Sequence, residues 1–174
     1  GRAYEDFAGR ELPEYINKTF HIDTSRENTW IGGVSMGGFG AIHTGLGFPE
    51  RFGKIIALSS ALIIHEIKDQ KPGFKNSMAD YDYYTSVFGP LDQLEESRNN
   101  PEKQIKELLK NGKTIPDLYM ACGTEDFLLE ENRAFRDFLA EKGVSLCYKE
   151  SPGIHDWKFW NEYLDKGIRW ALEE

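Results

Sequence analysis

The segment Gly33-Val34-Ser35-Met36-Gly37 constrains the fold of this chain more than any other part of the sequence. It follows the apolar, β-prone run 29–32, and it precedes residues 38–43, whose pattern predicts a helix. A serine on a tight turn between a strand and a helix is forced outward, and flanking glycines leave room for the backbone of that turn. The sequence therefore predicts a strand-turn-helix unit in which Ser35 is a candidate nucleophile.

The hydrophobic pattern around this segment predicts a mostly parallel sheet. We expect a helix from Ser35 to about Gly47, an apolar strand at 54–59, further strands at 117–122 and 145–149, and a helix at about 128–142. Apolar residues at three- and four-residue intervals predict helices at 4–16 and from 157 onward. Strand, helix and strand in alternation are typical of an α/β fold with helices on both faces.

Three polar residues each follow a predicted strand, in the order Ser35, Asp126, His155. Functional groups of open α/β sheets gather at the carboxyl ends of the strands, and this is the chain order of an α/β-hydrolase. A serine hydroxyl needs a base to accept its proton during attack, and imidazole titrates near neutrality. We therefore assign His155 as general base and acid, Asp126 as the group that orients it, and the backbone N–H of Met36 as an oxyanion donor.

Several alternatives remain open at this point. The pentapeptide alone can occur in an ordinary glycine-rich loop. Glu125 is the strongest rival of Asp126 as the carboxylate partner. Glu130 and Glu131 fall at a predicted helix start, where acidic residues favour the helix dipole, and Asp156 adjoins the histidine.

Residues 60–114 form a long excursion between two predicted strands, and its length is plausible for a cap over a site. Tyr83 and Tyr84 belong to an aromatic cluster there and are candidate substrate contacts, although aromatic residues more often only pack. Trp157 lies close enough to His155 to be a third candidate, but the tryptophans of the last helix are more typical core anchors.

Composition limits the possible partners. The 174 residues, 40% hydrophobic, suit one domain with one core, and a net charge of −8 argues against nucleic acid or an anionic membrane surface. No apolar run is long enough to cross a bilayer, and no signal peptide is visible. Cys122 and Cys147 fall in predicted buried strands and suit small core side chains rather than a disulfide or a metal site, which favours a cytoplasmic setting.

Three motifs carry a family resemblance: G-G-V-S-M-G-G-F-G-A around Ser35, C-G-T-E-D-F-L around Asp126 and G-I-H-D-W-K-F-W around His155. The chain resembles the α/β-hydrolase esterases that include tributyrin, acetyl and feruloyl esterases, S-formylglutathione hydrolases and mycolyltransferases. The resemblance implies short acyl or hydroxycinnamoyl esters as substrates and no metal or organic cofactor.

The resemblance also implies that this chain is a C-terminal portion, because complete members are longer at the N-terminus. The first strands of the sheet and the loop with the second oxyanion donor would then lie upstream. The nucleophile strand, residues 29–34, would become an unpaired apolar edge that invites pairing, and we expect an upstream segment or another copy of the chain, in a homo-oligomer, to cover it.

The leading hypothesis is a serine carboxylesterase that acts on small acetyl, butyryl or feruloyl esters. A thioesterase or acyltransferase is the nearest alternative, because the same acyl-enzyme can transfer its acyl group elsewhere. A catalytically impaired fragment that serves as an assembly or binding module is the alternative from a different class.

Overall fold

A computed structural model describes residues 2–173, which form a four-stranded sheet with helices on both faces. The strands are β1 (Trp30–Val34), β2 (Lys54–Leu58), β3 (Asp117–Gly123) and β4 (Leu146–Ser151). The helices are α1 (Arg2–Asp6), α2 (Leu12–Phe20), α3 (Met36–Gly47), α4 (Ile64–Ile67), α5 (Tyr81–Phe88), α6 (Pro101–Lys110), α7 (Leu129–Glu141) and α8 (Trp157–Leu172). A π-helical turn at Phe7–Glu11 joins α1 to α2, and 3-10 turns occur at Arg26–Asn28 and Leu91–Glu96.

The four strands pair in chain order and are all parallel. At their carboxyl ends Val34 pairs with Leu58, and Leu58 pairs with Ala121. The turns that follow β1, β3 and β4 therefore meet at one edge of the sheet. This arrangement confirms the predicted α/β fold and brings the three predicted functional segments to the same side.

Alternation along the strands assigns the two faces of the sheet. Ile55 and Ala57 of β2 pack with α3, α6 and α7, whereas Ile56 and Leu58 pack with α8. Because successive side chains of a strand point to opposite faces, one apolar run serves two cores. Each fully buried Leu, Ile or Phe side chain contributes ~1.5–3 kcal/mol, so both helical layers are held mainly by apolar burial.

The segment between β2 and β3 has a small core of its own. Ile64, Ile67, Tyr84, Leu91 and Leu94 are buried together there. Farther along, α6 packs against α3 through the buried Ile105. The predicted excursion therefore folds onto the body of the sheet in two parts, α4–α5 and α6, rather than as one detached cap.

β1 is an edge strand, as expected. Its outer side pairs with no strand within residues 2–173, and Gly32 at its centre is exposed. The expectation that another segment or another copy covers this edge stays a prediction. None of the helices in residues 2–173 has the length and apolar character needed to span a membrane.

Most predicted elements agree with the structure to within two residues, but the helix predicted at 4–16 continues to Phe20 and is divided into α1, a π-helical turn and α2. β2 ends at Leu58 rather than residue 59, because Ser59 adopts a left-handed conformation with φ 44°. Cys122 is buried as predicted, but Cys147 is only half-buried, since β4 is the other edge strand. Trp160 is a core residue as predicted; Trp157 is 67% exposed, so the expectation that it anchors the core is wrong.

Candidate active site

Ser35 occupies a strained turn between β1 and α3. Its backbone has φ 57° and ψ −118°, a combination that a non-glycine residue adopts at a cost of about 1–3 kcal/mol. The Ser35 N–H donates to the Leu58 carbonyl at 2.9 Å, and its carbonyl accepts the Phe39 N–H at 3.1 Å. A Cβ atom on Gly33 would lie 2.1 Å from the Gly37 carbonyl oxygen, so the turn closes only with glycine at position 33.

His155 lies between Ser35 and Asp126. Its Nε2 is 2.9 Å from Ser35 Oγ, and its Nδ1 is 2.9 Å and 3.0 Å from the two carboxylate oxygens of Asp126. In the sequence, His155 is 29 positions from Asp126 and 120 positions from Ser35. The three residues converge because the turns after β1, β3 and β4 lie at the same end of the parallel sheet. The structure therefore brings all three sequence-predicted residues together at hydrogen-bond distance.

Asp126 is buried, and its carboxyl oxygens contact a backbone N–H and the His155 imidazole. Its side chain is fully inaccessible to solvent, and Oδ1 accepts the Leu128 N–H at 2.9 Å in addition to the contact with His155. A carboxylate without solvent is stable only when hydrogen-bond donors surround it. An imidazole with its proton on Nδ1 supplies such a donor, and this tautomer leaves Nε2 free to accept a proton from Ser35.

Three of the four rival acids have other partners, and the fourth, Glu131, makes no contact with His155. Glu125 binds the Gly153 N–H and the Thr124 hydroxyl, and these contacts hold the pKa of its carboxyl below the ordinary value. Asp156 caps α8 by accepting the Phe159 N–H. Glu130 pairs with Arg133 on the exposed face of α7. The geometry therefore selects Asp126 as the partner of His155.

Two aromatic rings enclose the imidazole of His155. The Phe127 ring centroid lies 4.6 Å from that of His155, and the Trp160 ring lies at 4.8 Å, perpendicular to it. Trp160 Nε1–H donates to the buried Ser59 hydroxyl at 3.0 Å, which fixes the indole. Sequence analysis identified neither Phe127 nor Ser59; the position of Phe127 next to Asp126 was the only available signal.

Asn132 connects Leu128, two residues after Asp126, to Ser60, which follows β2. This fully buried amide accepts the Ser60 N–H at 3.1 Å and donates to the carbonyls of Ser60 and Leu128 at 2.9 Å and 2.7 Å. Ser60 lies two residues beyond β2, and Ala61 N–H donates to the Ser35 carbonyl at 3.0 Å. Sequence analysis missed Asn132, because a single polar residue on a helix does not indicate which backbone it binds.

Met36 is the first residue of α3, so its N–H has no partner within the helix and is available to a developing negative charge. Its side chain is 64% exposed beside Ser35. The second donor was expected upstream of β1. Between residues 2 and 29 the described structure consists of helices, turns and loops, with no strand that could carry such a donor.

The three predicted substrate contacts differ in their surroundings. Tyr83 is half exposed, and together with Tyr84 it lines a cavity of about 190 Å³ that also includes Met36. Tyr84 is 2% exposed, and its hydroxyl donates to Asn76 Oδ1 at 2.9 Å, so only its ring faces that cavity. Trp157 packs edge-on against Trp160 on the opposite flank of the site.

His43 and His65 contact residues outside the Ser35–His155–Asp126 cluster, whereas Cys122 lies beside Ser59 at the end of β3. His43 stacks on Phe39, and burial lowers its pKa although the nearby Glu5 opposes that shift. His65 pairs with Glu102 at 2.7 Å. Burial raises the pKa of the Cys122 thiol to about 12, which keeps it protonated. Among the residues that the structure describes, no group of three or more His, Cys, Asp or Glu side chains is arranged to hold a metal ion.

A larger cavity, of about 610 Å³, lies at the amino ends of the strands. Arg26, Pro49 and Lys113 line it, and these residues precede the amino ends of the strands. It contains none of the residues near Ser35, and both positive and negative side chains surround it. The cavity of about 190 Å³ includes Met36, the residue after Ser35, in its lining.

The arrangement around Ser35 can perform nucleophilic acyl transfer. A hydroxyl lies against an imidazole nitrogen, a buried carboxylate contacts the other ring nitrogen, and the residue after the hydroxyl begins a helix with an N–H that has no partner within the helix. These are a nucleophile, a base with its orienting group, and a donor for an oxyanion.

Comparison with known proteins agrees with this chemistry. A family model described as putative esterase matches residues 1–171. An acetyl esterase from Caldicellulosiruptor saccharolyticus is 43% identical over 167 residues, which cover 96% of this chain and 63% of that protein. The chain thus spans less than two thirds of the length of this relative.

Two solved structures from Staphylococcus aureus are similar in fold and 26% identical in sequence. An S-formylglutathione hydrolase superimposes with a TM-score of 0.79, and the matched region covers 94% of this chain and 61% of the hydrolase chain. A fluorophosphonate-binding serine hydrolase superimposes with a TM-score of 0.81, and the matched region covers 94% of this chain and 62% of that hydrolase chain. The resemblance noted in the sequence is confirmed by these matches.

Proposed function

The chain belongs to the putative esterase family, and we propose that it is a serine carboxylesterase that hydrolyses small acyl esters through Ser35, His155 and Asp126. The observation that carries this proposal is the continuous contact from Ser35 Oγ to His155 Nε2 at 2.9 Å, and from His155 Nδ1 to Asp126 at 2.9 Å. The acetyl esterase relative supports the choice of an ester as substrate.

In the first half of the reaction, Ser35 Oγ attacks the ester carbonyl while His155 Nε2 accepts the hydroxyl proton. Asp126 stabilises the imidazolium that forms, and the Met36 N–H stabilises the oxyanion. The intermediate then collapses: the bond to the alcohol oxygen breaks, His155 returns its proton to that oxygen, and the acyl group remains on Ser35.

In the second half, water takes the place of the alcohol. His155 removes a proton from the water as it attacks the acyl-enzyme, and the carboxylic acid leaves when the proton returns to Ser35 Oγ. Each step uses the same two hydrogen bonds of His155, so no metal or organic cofactor enters the mechanism.

We expect slow turnover from these residues alone. The family resemblance places a second oxyanion donor in a loop upstream of the nucleophile strand, and residues 2–29 contain helix, turn and loop in its place. Removal of one such donor typically lowers kcat by about a hundred- to a thousandfold. Activity at that reduced level is the expected result, and it distinguishes an esterase from a purely structural module.

Ser35→Ala tests the proposal. We expect the variant to lose hydrolysis of p-nitrophenyl acetate and butyrate and to lose labelling by a fluorophosphonate, while its circular dichroism spectrum stays unchanged. Ser25→Ala is the matched control, because Ser25 lies in an exposed loop at the amino end of β1. Equal hydrolysis by the Ser35→Ala variant and the parent would contradict the proposal, and absence of labelling in the parent would favour the binding-module alternative.

A thioester substrate is the second candidate, and the S-formylglutathione hydrolase similarity favours it. The same acyl-enzyme forms whether the leaving group is an alcohol or a thiol. A panel of acyl esters and thioesters with the same acyl group separates the two, because a thioesterase prefers the sulfur leaving group by more than its intrinsic reactivity explains.

We also propose that the outer edge of β1 pairs with another polypeptide segment, either upstream sequence or a second copy. Support comes from the exposed Gly32 and from the half-exposed Tyr15 and Phe20 on the adjacent helix α2. Sedimentation velocity of the chain tests the second option: a monomer at micromolar concentration would eliminate the homo-oligomer.

A further inference from the structure

We propose that the cavity beside Met36 binds the acyl group of the ester and selects a compact aliphatic chain, whereas the alcohol lies on the open His155 flank and is weakly selected. This inference rests on the proposed function, because it names the part of the substrate that each side of Ser35 receives.

The cavity lies within one residue of the nucleophile. Met36, which lines it, follows Ser35 directly. Phe39 and Ala61 also line it, and their N–H groups donate to the Ser35 carbonyl at 3.1 Å and 3.0 Å. The backbone of Ser35 is therefore held directly by residues that form the cavity walls, and Met36 connects the nucleophile to the cavity.

The position of His155 decides which half of the ester occupies the cavity. His155 Nε2 returns its proton to the alcohol oxygen, so the alcohol must leave on the side of the imidazole. That side carries the exposed Phe127, Ile154 and Trp157. In contrast, the residues that line the cavity come from 36–39, 61–63 and 78–88, and none of them belongs to the loops that carry Asp126 and His155. The acyl group therefore extends into the cavity.

The size and the walls of the cavity define the acyl group. Its volume is about 190 Å³, and its lining side chains are aliphatic or aromatic. The Tyr84 hydroxyl is already bound to Asn76, which leaves its ring as the wall. An engineered apolar cavity of about 150 Å³ in another protein holds one benzene molecule, so this one accommodates about five or six carbon atoms beyond the carbonyl. A hydroxycinnamoyl group has roughly twice as many non-hydrogen atoms and extends out of such a space.

The mouth of the cavity is built from side chains that tolerate substitution. Tyr83 and Val87 lie on α5 and are each 46% exposed, so truncation there removes little buried surface. Ala79 lies opposite, in the turn before α5, and its N–H donates to Asn76 Oδ1 at 2.9 Å. A larger side chain at position 79 projects from a backbone that Asn76 holds in place.

The first experiment measures kcat/KM for p-nitrophenyl acetate, butanoate, hexanoate and decanoate below their micelle concentrations. We expect an increase of about fourfold for each methylene group that the cavity buries, up to hexanoate, and no further increase at decanoate. Hexanoyl esters of several phenols of similar acidity should differ much less than the acyl series does. A flat acyl series, or one that keeps rising to decanoate, would overturn the inference.

The second experiment changes the cavity. Tyr83→Ala and Val87→Ala should move the preferred acyl chain toward decanoate, and Ala79→Leu should move it toward acetate. For each variant we expect the ratio of kcat/KM for hexanoate to kcat/KM for acetate to change by at least about tenfold. Tyr4→Ala, a truncation of an exposed aromatic side chain on α1, is the matched control and should keep the parent profile.

The outcomes distinguish this inference from the proposed function. Fluorophosphonate labelling of Ser35 and its loss in Ser35→Ala report on the esterase chemistry alone. Normal labelling with an acyl profile that none of the three cavity variants changes would refute the acyl cavity and leave the esterase intact. Absence of labelling in the parent would refute both.

Discussion

Replacement of Asp126 by asparagine separates the orientation of His155 from simple occupancy of the site. The amide has the same shape as the carboxylate, and its oxygen can still accept the Leu128 N–H, now 2.9 Å from Oδ1. Its NH₂ group then faces His155 Nδ1, which is 2.9–3.0 Å from the carboxylate oxygens. A donor at that position favours the tautomer with the proton on Nε2, and that nitrogen can no longer accept the Ser35 proton.

The expected loss is large because the error affects the reacting nitrogen itself. Substitutions of this type lower kcat by about 10⁴, equivalent to ~5.5 kcal/mol of transition-state stabilisation. The Asp126 side chain is fully inaccessible to solvent, so water cannot take over its part. We expect KM for p-nitrophenyl butanoate to change little, since no part of Asp126 touches the substrate.

Glu125→Gln is the matched control for this experiment. It changes the neighbouring residue in the same way, but Glu125 contacts the Gly153 N–H and the Thr124 hydroxyl rather than His155. Steady-state kinetics and the rate of fluorophosphonate labelling are measured for both variants, with circular dichroism as the test of folding. The reasoning is refuted if Asp126→Asn keeps a tenth of the parent kcat, or if Glu125→Gln loses as much as Asp126→Asn does.

Three further predictions concern the support of the site. Gly123→Ala places a Cβ atom 2.1 Å from the Gly153 carbonyl oxygen. We expect this variant to lose about 1–3 kcal/mol of unfolding free energy, measured by urea denaturation, and to have a lower kcat. Gly40→Ala is the control and should show neither effect, because no atom lies within 4 Å of its added carbon. Asn132→Leu leaves the Ser60 N–H without its partner in the interior, while the carbonyls of Ser60 and Leu128 keep the backbone N–H groups of Leu62 and Asn132. The variant should cost about 1–3 kcal/mol by the same denaturation assay. The hydrogen bond from Arg133 lowers the pKa of the Glu150 carboxyl below its ordinary value of 4.5. The stability that Glu150→Gln removes should therefore be largest above pH 4.5 and should vanish as pH falls through the lowered pKa, as measured by denaturation at a series of acidic pH values. An equal loss of stability at all pH values would contradict this prediction.

The regular parts of the fold were predictable because each has a repeating pattern. Alternating apolar residues in β2, for example Ile55 and Ile56, serve the two faces of the sheet, and three-to-four spacing marks α3 and α7. The site followed from the same logic, since parallel strands place the turns with Ser35, Asp126 and His155 at one edge. Local signals were sufficient for Ser35 and His155, whereas they left Glu125 open beside Asp126 and missed Ser59 at the end of β2.

The contacts between distant segments were not predictable. Tyr84 was a candidate substrate contact, and its ring lines the cavity beside Met36, but its hydroxyl binds Asn76 and the side chain also packs in the core of the excursion. Asn132 and Ser59 support the site through partners about 70 to 100 positions away. A hydrogen bond of this kind depends on the three-dimensional approach of two backbones, and neither periodicity nor spacing in the sequence encodes it.

The parallel sheet also places the candidate active site at the carboxyl ends of its strands, away from the turns at their amino ends. The turns at Gly112 and Gly143, with φ of 60° and 69°, lie before β3 and β4, at the end remote from Ser35, and an added Cβ atom there meets nothing within 4 Å. Purification tags, fluorescent reporters or surface attachment points placed in these two turns would leave the reactive end unobstructed, so the fold offers a natural handle for immobilising the protein with its reactive serine facing outward.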